Sequence, residues 1–194
     1  MLSVVIATHE SERALLPTLA ALVAGAAAGL VREVIVADAD SHDETAAVAD
    51  AAGCRVLISR EPRGVRLKAA AAAARGPWLL FLQPGSVPDA TWLDETRRFI
   101  EEAELRGCAG TFAAVFRPAS IAFRPALIEA FALLGAALGA PRASQGLLIA
   151  KTLYETLGGH RDVADPEREL VRRLGRRRTV LLRSAATPPG PKGT

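Results

Sequence analysis

Four short apolar runs, separated by helical patterns, constrain this chain more than any other feature. They are Leu2–Ala7, Glu33–Ala37, Arg55–Ser59 and Trp78–Leu82. Each is bounded by polar or turn residues and rich in Val, Ile or Leu, as strands buried on both faces are. Helical patterns lie between them, over Ser11–Ala28, Asp43–Ala52 and Arg63–Arg75. The order β-α-β-α-β-α-β predicts an α/β, Rossmann-like fold: a mostly parallel sheet with helices on both faces and right-handed crossovers. Ligands of such sheets bind beyond the carboxyl ends of the strands. The residues after each strand therefore carry the functional argument.

The second half is less regular. The spacing predicts a helix from about Pro88 to Leu105, with Pro88 and Asp89 suited to its first turn. Thr111–Arg117 reads as a strand and Pro125–Leu138 as a helix. LLIA, within Ser144–Ala150, reads as a strand, and Lys151–Leu157 as a short helix ended by Gly158-Gly159. Pro166–Leu174 reads as a helix and Thr179–Leu182 as a last strand. With 194 residues, half of them hydrophobic, the chain has enough apolar surface for one sizeable core. The expectation is a single domain over residues 1–185 and a flexible tail over residues 186–194.

Composition excludes several classes of function. Net charge is +3 and aromatics are 5%, which argues against nucleic acid and against a base-stacking platform. Cys54 and Cys108 are far apart and in no CxxC or Cys/His cluster, so neither a zinc site nor a disulfide framework is implied. The start, MLSVVIATHE, lacks the basic region and cleavage site of a secretion signal. The most apolar stretch, Ile121–Ala140, is broken by Arg124, Pro125 and Glu129 and reads as a buried or amphipathic helix rather than a membrane span. A cytoplasmic protein with reduced thiols is expected. The cluster Arg172-Arg173 and Arg176-Arg177-Arg178 is either a solvated helix end or a peripheral contact with an anionic membrane.

Three loops converge on one edge of the predicted sheet: Thr8-His9-Glu10, Asp38-Ala39-Asp40-Ser41-His42-Asp43 and Gln83-Pro84-Gly85-Ser86. Asp38 and Asp40 are two residues apart and would point the same way if the strand persisted. Paired carboxylates hold Mg²⁺ or accept hydrogen bonds from a nucleoside. Asp40, Ser41 and Asp43 are equally ordinary helix caps. His9 reads as a solvated loop residue. His160, after two glycines, reads as a turn residue that could face an acceptor. No GxGxxG or GxxxxGK[ST] loop is present.

LSVVIATHE, EVIVADADSHDET, the Pro62-Arg63-Gly64 segment and ARGPWLLFLQPGSVPDATWLD together resemble a family 2 glycosyltransferase of the GT-A fold. SQGLLIAKTLYETLGGHRDV and PERELVRRLGRRRTVLL extend the resemblance to about residue 183. It implies a nucleotide-sugar donor, usually UDP-linked, an acceptor hydroxyl and a divalent metal. It places Thr8 in the turn after the first strand, Glu10 near the nucleotide, Asp38 on the uracil, Asp43 as the second acid of that loop and Arg63 near the donor phosphates. Glu167 falls at the position of the catalytic base, with Pro166 in place of the preceding acid. The metal motif Asp-x-Asp is replaced by Gln83-Pro84-Gly85, and Gly85 offers no side chain to a hard cation. No metal ligand is assigned. The alternative is a homologue that keeps the nucleotide pocket but is catalytically impaired, serving as a binding or scaffold protein. A phosphotransfer site of the haloacid dehalogenase type would need its nucleophilic aspartate after the first strand, whereas Asp38 follows the second.

Overall fold

A computed structural model describes residues 1–118 and 146–187. The expected helix Pro125–Leu138 and tail residues 188–194 lie outside the described residues. The first half follows the alternating pattern: β1 (Leu2–Thr8), α1 (Glu12–Ala27), β2 (Val31–Asp38), α2 (Thr45–Ala51), β3 (Arg55–Ile58), α3 (Arg63–Ala73) and β4 (Trp78–Leu82). Then come β5 (Val87–Pro88), α4 (Trp92–Leu105), β6 (Ala113–Pro118), β7 (Leu147–Ala150), α5 (Lys151–Thr156), α6 (Pro166–Leu174) and β8 (Thr179–Thr187).

The eight strands among the described residues form one sheet in the order β3-β2-β1-β4-β7-β6-β8-β5. β3, β2, β1 and β4 run parallel, while β7 runs antiparallel to both β4 and β6. Every residue of β1 and β4 is buried, so helices cover both faces of the sheet centre. α1 turns Leu15, Thr18 and Leu22 inward, one residue per helical turn, the stripe an amphipathic helix buries. In α3 the buried face is Leu67, Ala70 and Ala71, joined by Arg66. Among the described residues no helix is long and apolar enough to cross a membrane.

Two boundaries differ most from expectation. The helix expected from Pro88 starts at Trp92, and Val87-Pro88 pairs instead with Thr187 and Ala186 of β8. Asp89 is the cause. Its backbone N–H donates to the Ala185 carbonyl, and its carboxylate accepts from Ala185 N and Thr91 N. β8 correspondingly runs five residues past the expected end at Leu182, and Ala186 is buried.

Candidate active site at the carboxyl rim of the sheet

The register places Thr8 of β1 beside Asp38 of β2, and Ile6 beside Leu82. One rim therefore carries Asp38, Thr8 and Gln83 in lateral order. Because β7 is antiparallel, its first residue, Leu147, meets Phe81 near the same rim.

The β1–β2 side of the rim is a closed polar network. Asp38 is fully buried. Its Oδ1 accepts from Thr8 Oγ1 and Ser41 Oγ, each at 2.7 Å, and its Oδ2 accepts from Ser41 N at 2.7 Å. Burial by itself raises the Asp38 pKa. The hydrogen bonds from Ser41 and Thr8, with the Arg66 charge, outweigh it and hold the carboxyl below its ordinary 3.8. Arg66 is itself buried. Its Nη1 donates to the Thr8 carbonyl at 3.0 Å and to the Ala37 carbonyl, and its Nε to the Glu61 carbonyl at 3.1 Å. It thereby ties the ends of β1 and β2 to α3.

Glu10 and Asp43 spend their carboxylates locally. Glu10 Oε1 accepts from His42 N at 2.8 Å, and Glu10 N donates to Ser41 Oγ at 2.9 Å, so the first two loops clasp each other. Asp43 accepts from Glu12 N at 3.1 Å and Thr45 N at 3.0 Å, serving the starts of α1 and α2 together. Burial raises its pKa, and the hydrogen bonds from Thr45 and Glu12 prevail to lower it. Asp40 does not converge with Asp38. β2 ends at Asp38, and Asp40 has a left-handed backbone with φ 62°. It pairs with Arg60, Oδ2 to Nε at 2.6 Å.

The other side of the rim is built by α3, α6 and the loop between α5 and α6. Asp165 caps α6 by accepting from Arg168 N at 3.0 Å, and Pro166 occupies the first turn, where a missing N–H costs nothing. Glu167 follows in that first turn and is 8% exposed, near the positive end of the helix dipole. Arg63 opens α3, and its Nε and Nη2 donate to Glu167 Oε1 at 2.8 and 2.5 Å. These two predicted residues, 104 positions apart, thus meet as one ion pair.

Gly64 makes the meeting feasible. A Cβ there would lie 1.9 Å from the Arg161 carbonyl oxygen, so only glycine lets α3 approach the loop that bears His160. Arg173 holds that loop from the other end of α6. It donates to both Glu169 oxygens at 2.8 Å, to the Gly159 carbonyl at 2.5 Å and to the Leu157 carbonyl. Arg173 is thus a clamp and not part of a free basic surface.

His160 is 2% exposed and packs edge-on against Phe81, centroids 4.7 Å apart. Its Nδ1 lies 2.9 Å from Tyr154 Oη, and its backbone N–H donates to that same oxygen at 3.0 Å. Burial, then the Arg173 and Arg63 charges, push the imidazole pKa down to about 3. Burial raises the Tyr154 pKa to about 12 against the His160 hydrogen bond and the Arg173 charge. A narrow pocket, lined by Gln83, His160, Glu167, Phe81, Leu147 and Gly146 among others, lies between β4, β7 and α6.

The metal position fits poorly. Gly85 has φ 84° and donates its N–H to Thr18 Oγ1 at 2.9 Å. Among the described residues no three His, Cys, Asp or Glu side chains cluster as metal ligands. The donor set offers an amide at Gln83 and no carboxylate, which suits a hard divalent cation badly.

Arg66, Ser41, Tyr154 and the Arg173 clamp were not anticipated as site residues. Arg66 had a signal: it lies beside Leu67 and one turn before Ala70, on the apolar face of its helix.

This is the GT-A glycosyltransferase fold, with its rim at the expected place. The sequence profile of glycosyl transferase family 2 matches residues 3–134, and the chain belongs to that family. The match contains Thr8, Asp38 and Arg63 but ends before His160 and Glu167. No curated protein sequence matches significantly. Among solved structures, S. aureus TarS 1-349 in complex with UDP-GlcNAc is 16% identical with a TM-score of 0.75. That similarity covers 100% of this chain and 59% of TarS 1-349. Glucosyl-3-phosphoglycerate synthase from Mycobacterium tuberculosis, in complex with Mn²⁺, UDP and glucosyl-3-phosphoglycerate, is 22% identical with a TM-score of 0.64. It covers 93% of this chain and 68% of the synthase. The chain thus spans about three fifths of the length of TarS 1-349.

Proposed function

We propose that this chain transfers a sugar from a UDP-linked donor to a hydroxyl acceptor. The observation that carries the reading is the Arg63–Glu167 pair, set on the same rim as the Thr8–Asp38 network. Family membership supplies the reaction class, and UDP or UDP-GlcNAc bound to the two similar structures supports the donor class.

The nucleoside would lie over Thr8 and Asp38, with Arg66 fixing that rim from behind. Arg63 would then meet the diphosphate. Moving its guanidinium from Glu167 to a phosphate frees the carboxylate at the moment a donor is present. Glu167 accepts the acceptor hydroxyl's proton as that oxygen bonds to the anomeric carbon and the bond to UDP breaks. Arg63 offsets the negative charge left on UDP. Glu10 and Asp43 hold the loops that shape this rim. No step is routed through a metal, since the residues present do not fit one.

A specific observation favours the second reading, an impaired homologue that binds nucleotide without turnover. Gly85 stands at the metal aspartate's position in a left-handed conformation that disfavours any side chain. UDP release from a panel of UDP-sugars, followed beside UDP binding, separates the two readings. Transfer predicts release that Glu167→Gln abolishes, and binding without release establishes the impaired homologue. Failure to bind UDP at all sinks both.

Peripheral membrane contact, if made, would use Arg176 and Arg177 beside the exposed Val180 and Leu181. Salt-sensitive recovery on anionic but not neutral vesicles tests it.

A further inference from the structure

His160 carries a buried hydrogen-bond donor that none of the described residues uses. Tyr154 Oη accepts the His160 backbone N–H at 3.0 Å and keeps its own proton to donate. Nδ1, 2.9 Å away, is the acceptor in reach. Tyr154 donating to Nδ1 puts the ring proton on Nε2, whereas the reverse tautomer would leave the phenol proton without an acceptor among the described residues. Nε2 is buried and has no hydrogen-bond partner among the described residues. Buried orphan donors are rare in folded proteins, because desolvation is then uncompensated. A ring present only to pack against Phe81 and Tyr154 would carry no such penalty as phenylalanine.

The orphan's surroundings narrow what it serves. His160 lines the pocket that Gln83 and Glu167 also line. Burial first, and then the flanking cations Arg173 and Arg63, keep the ring neutral. A neutral N–H beside two arginines suits a neutral oxygen, since an anionic phosphate already has Arg63. Position points the same way. Asp38 sits on β2, two strands from β4, which is about 10 Å along the rim. A nucleotide lying over the Thr8–Asp38 end of the rim and crossing β1 presents its terminal group at β4, where His160 packs edge-on against Phe81.

We propose that His160 Nε2–H donates a hydrogen bond to a hydroxyl oxygen of the sugar carried by the nucleotide donor, making His160 a specificity residue for the sugar end of the site. This rests on the UDP-sugar reading above and adds the sugar contact to it.

The paired variants His160→Asn and His160→Gln test it. The asparagine amide reaches the place of Nδ1 and still serves Tyr154, but the Nε2 donor is gone. The glutamine amide reaches the place of Nε2 and restores a donor. Calorimetric titrations of the full chain would use UDP, UDP-glucose, UDP-galactose and UDP-N-acetylglucosamine, after thermal unfolding shows both variants folded. The parent is expected to bind at least one UDP-sugar more tightly than UDP. In His160→Asn that margin should shrink by about tenfold, the size of one net hydrogen bond, while UDP affinity stays within about twofold. His160→Gln should recover part of the margin. An unchanged margin in His160→Asn overturns the proposal, as does a parent that binds UDP but gains from none of the three sugars. Equal loss of UDP and UDP-sugar affinity in both variants also overturns it, because the ring is then structural. A parent that binds no UDP fails the underlying donor reading instead, and that outcome is distinct from the others.

Discussion

The two sides of the rim treat their polar groups in opposite ways. On the β1–β2 side Thr8, Asp38, Ser41 and Arg66 satisfy one another, and both Asp38 oxygens are engaged by protein donors. On the α3–α6 side, among the described residues, Glu167 has one partner, Arg63, which a phosphate can take away, and His160 Nε2 has none. The difference teaches where stability and chemistry reside. A network closed on itself rigidifies the strand ends and fixes a binding surface. A charge pair with an exchangeable partner, next to an orphan donor, is a surface held ready for something else.

The largest effect that would break this contrast is on turnover. Glu167→Gln should lower the rate of UDP release from the accepted donor by about 10²–10⁴-fold, while UDP binds more tightly because Arg63 no longer has to leave a carboxylate and the melting temperature barely changes. A variant with near-parental turnover would remove Glu167 from the chemistry and make the α3–α6 side structural like the other.

Gly64→Ala comes next. Its Cβ would overlap the Arg161 carbonyl, so α3 and the His160 loop must separate. We expect a loss of about 3 kcal/mol in denaturant unfolding, together with loss of sugar-dependent binding. Parental stability would show that the approach of α3 to the loop is loose and that the ready side is not pre-positioned.

Asp38→Asn should cost about 2 kcal/mol, because it replaces a charged acceptor of three hydrogen bonds by a neutral amide whose nitrogen cannot accept. UDP affinity should fall with it. Urea titration reads the first effect and calorimetry the second. A stable Asp38→Asn protein beside an unstable Glu167→Gln protein would invert the comparison.

The pH dependence is smaller and discriminates the two sides by range. The folded-state pKa of His160 lies near 3, below its ordinary 6.5. The unfolded chain therefore binds a proton that the native ring refuses. Stability present above about pH 6.5 should decline as pH falls toward 3, by up to about 1.4 kcal/mol per pH unit from this group. Asp38, also depressed, adds its loss only below its ordinary 3.8. Urea midpoints at pH 7, 6 and 5 for parent and His160→Phe test this, and the variant should have the flatter slope. Identical slopes would remove His160 as the source.

Mn²⁺ should have the least effect, changing the UDP dissociation constant by less than about twofold relative to EDTA, as the Gln83–Gly85 loop supplies no carboxylate. Strong dependence would show that metal ligands come from elsewhere on the rim. Replacing Gly85 by Asp would not simply restore them, since φ 84° makes a non-glycine residue cost about 1–3 kcal/mol there.

Much of the fold was legible because the chain's first half is locally consistent. The β-branched runs, their spacing and the helical stripes between them all require the same βαβ order, and strand ends locate the loops without tertiary knowledge. The boundaries that shifted were those decided by long-range partners. Pro88 suits a helix start in isolation, yet Asp89 finds its partner in Ala185, almost one hundred residues away, and draws Val87-Pro88 into the sheet.

The sequence by itself determined the alternating architecture, through local periodicity, and its motif order pointed to the family. The resemblance to that family, not periodicity, is what singled out Thr8, Asp38, Arg63 and Glu167. The tertiary structure decided what each residue is joined to. It turned Asp40 outward to Arg60, spent Glu10 and Asp43 on loop and helix contacts, paired Arg63 with Glu167 and left His160 Nε2 without a partner among the described residues. Hydrogen bonds and ion pairs form over about 3 Å, and residues distant in sequence come within that range only when the sheet order and the packing of α3 against the His160 loop bring them there.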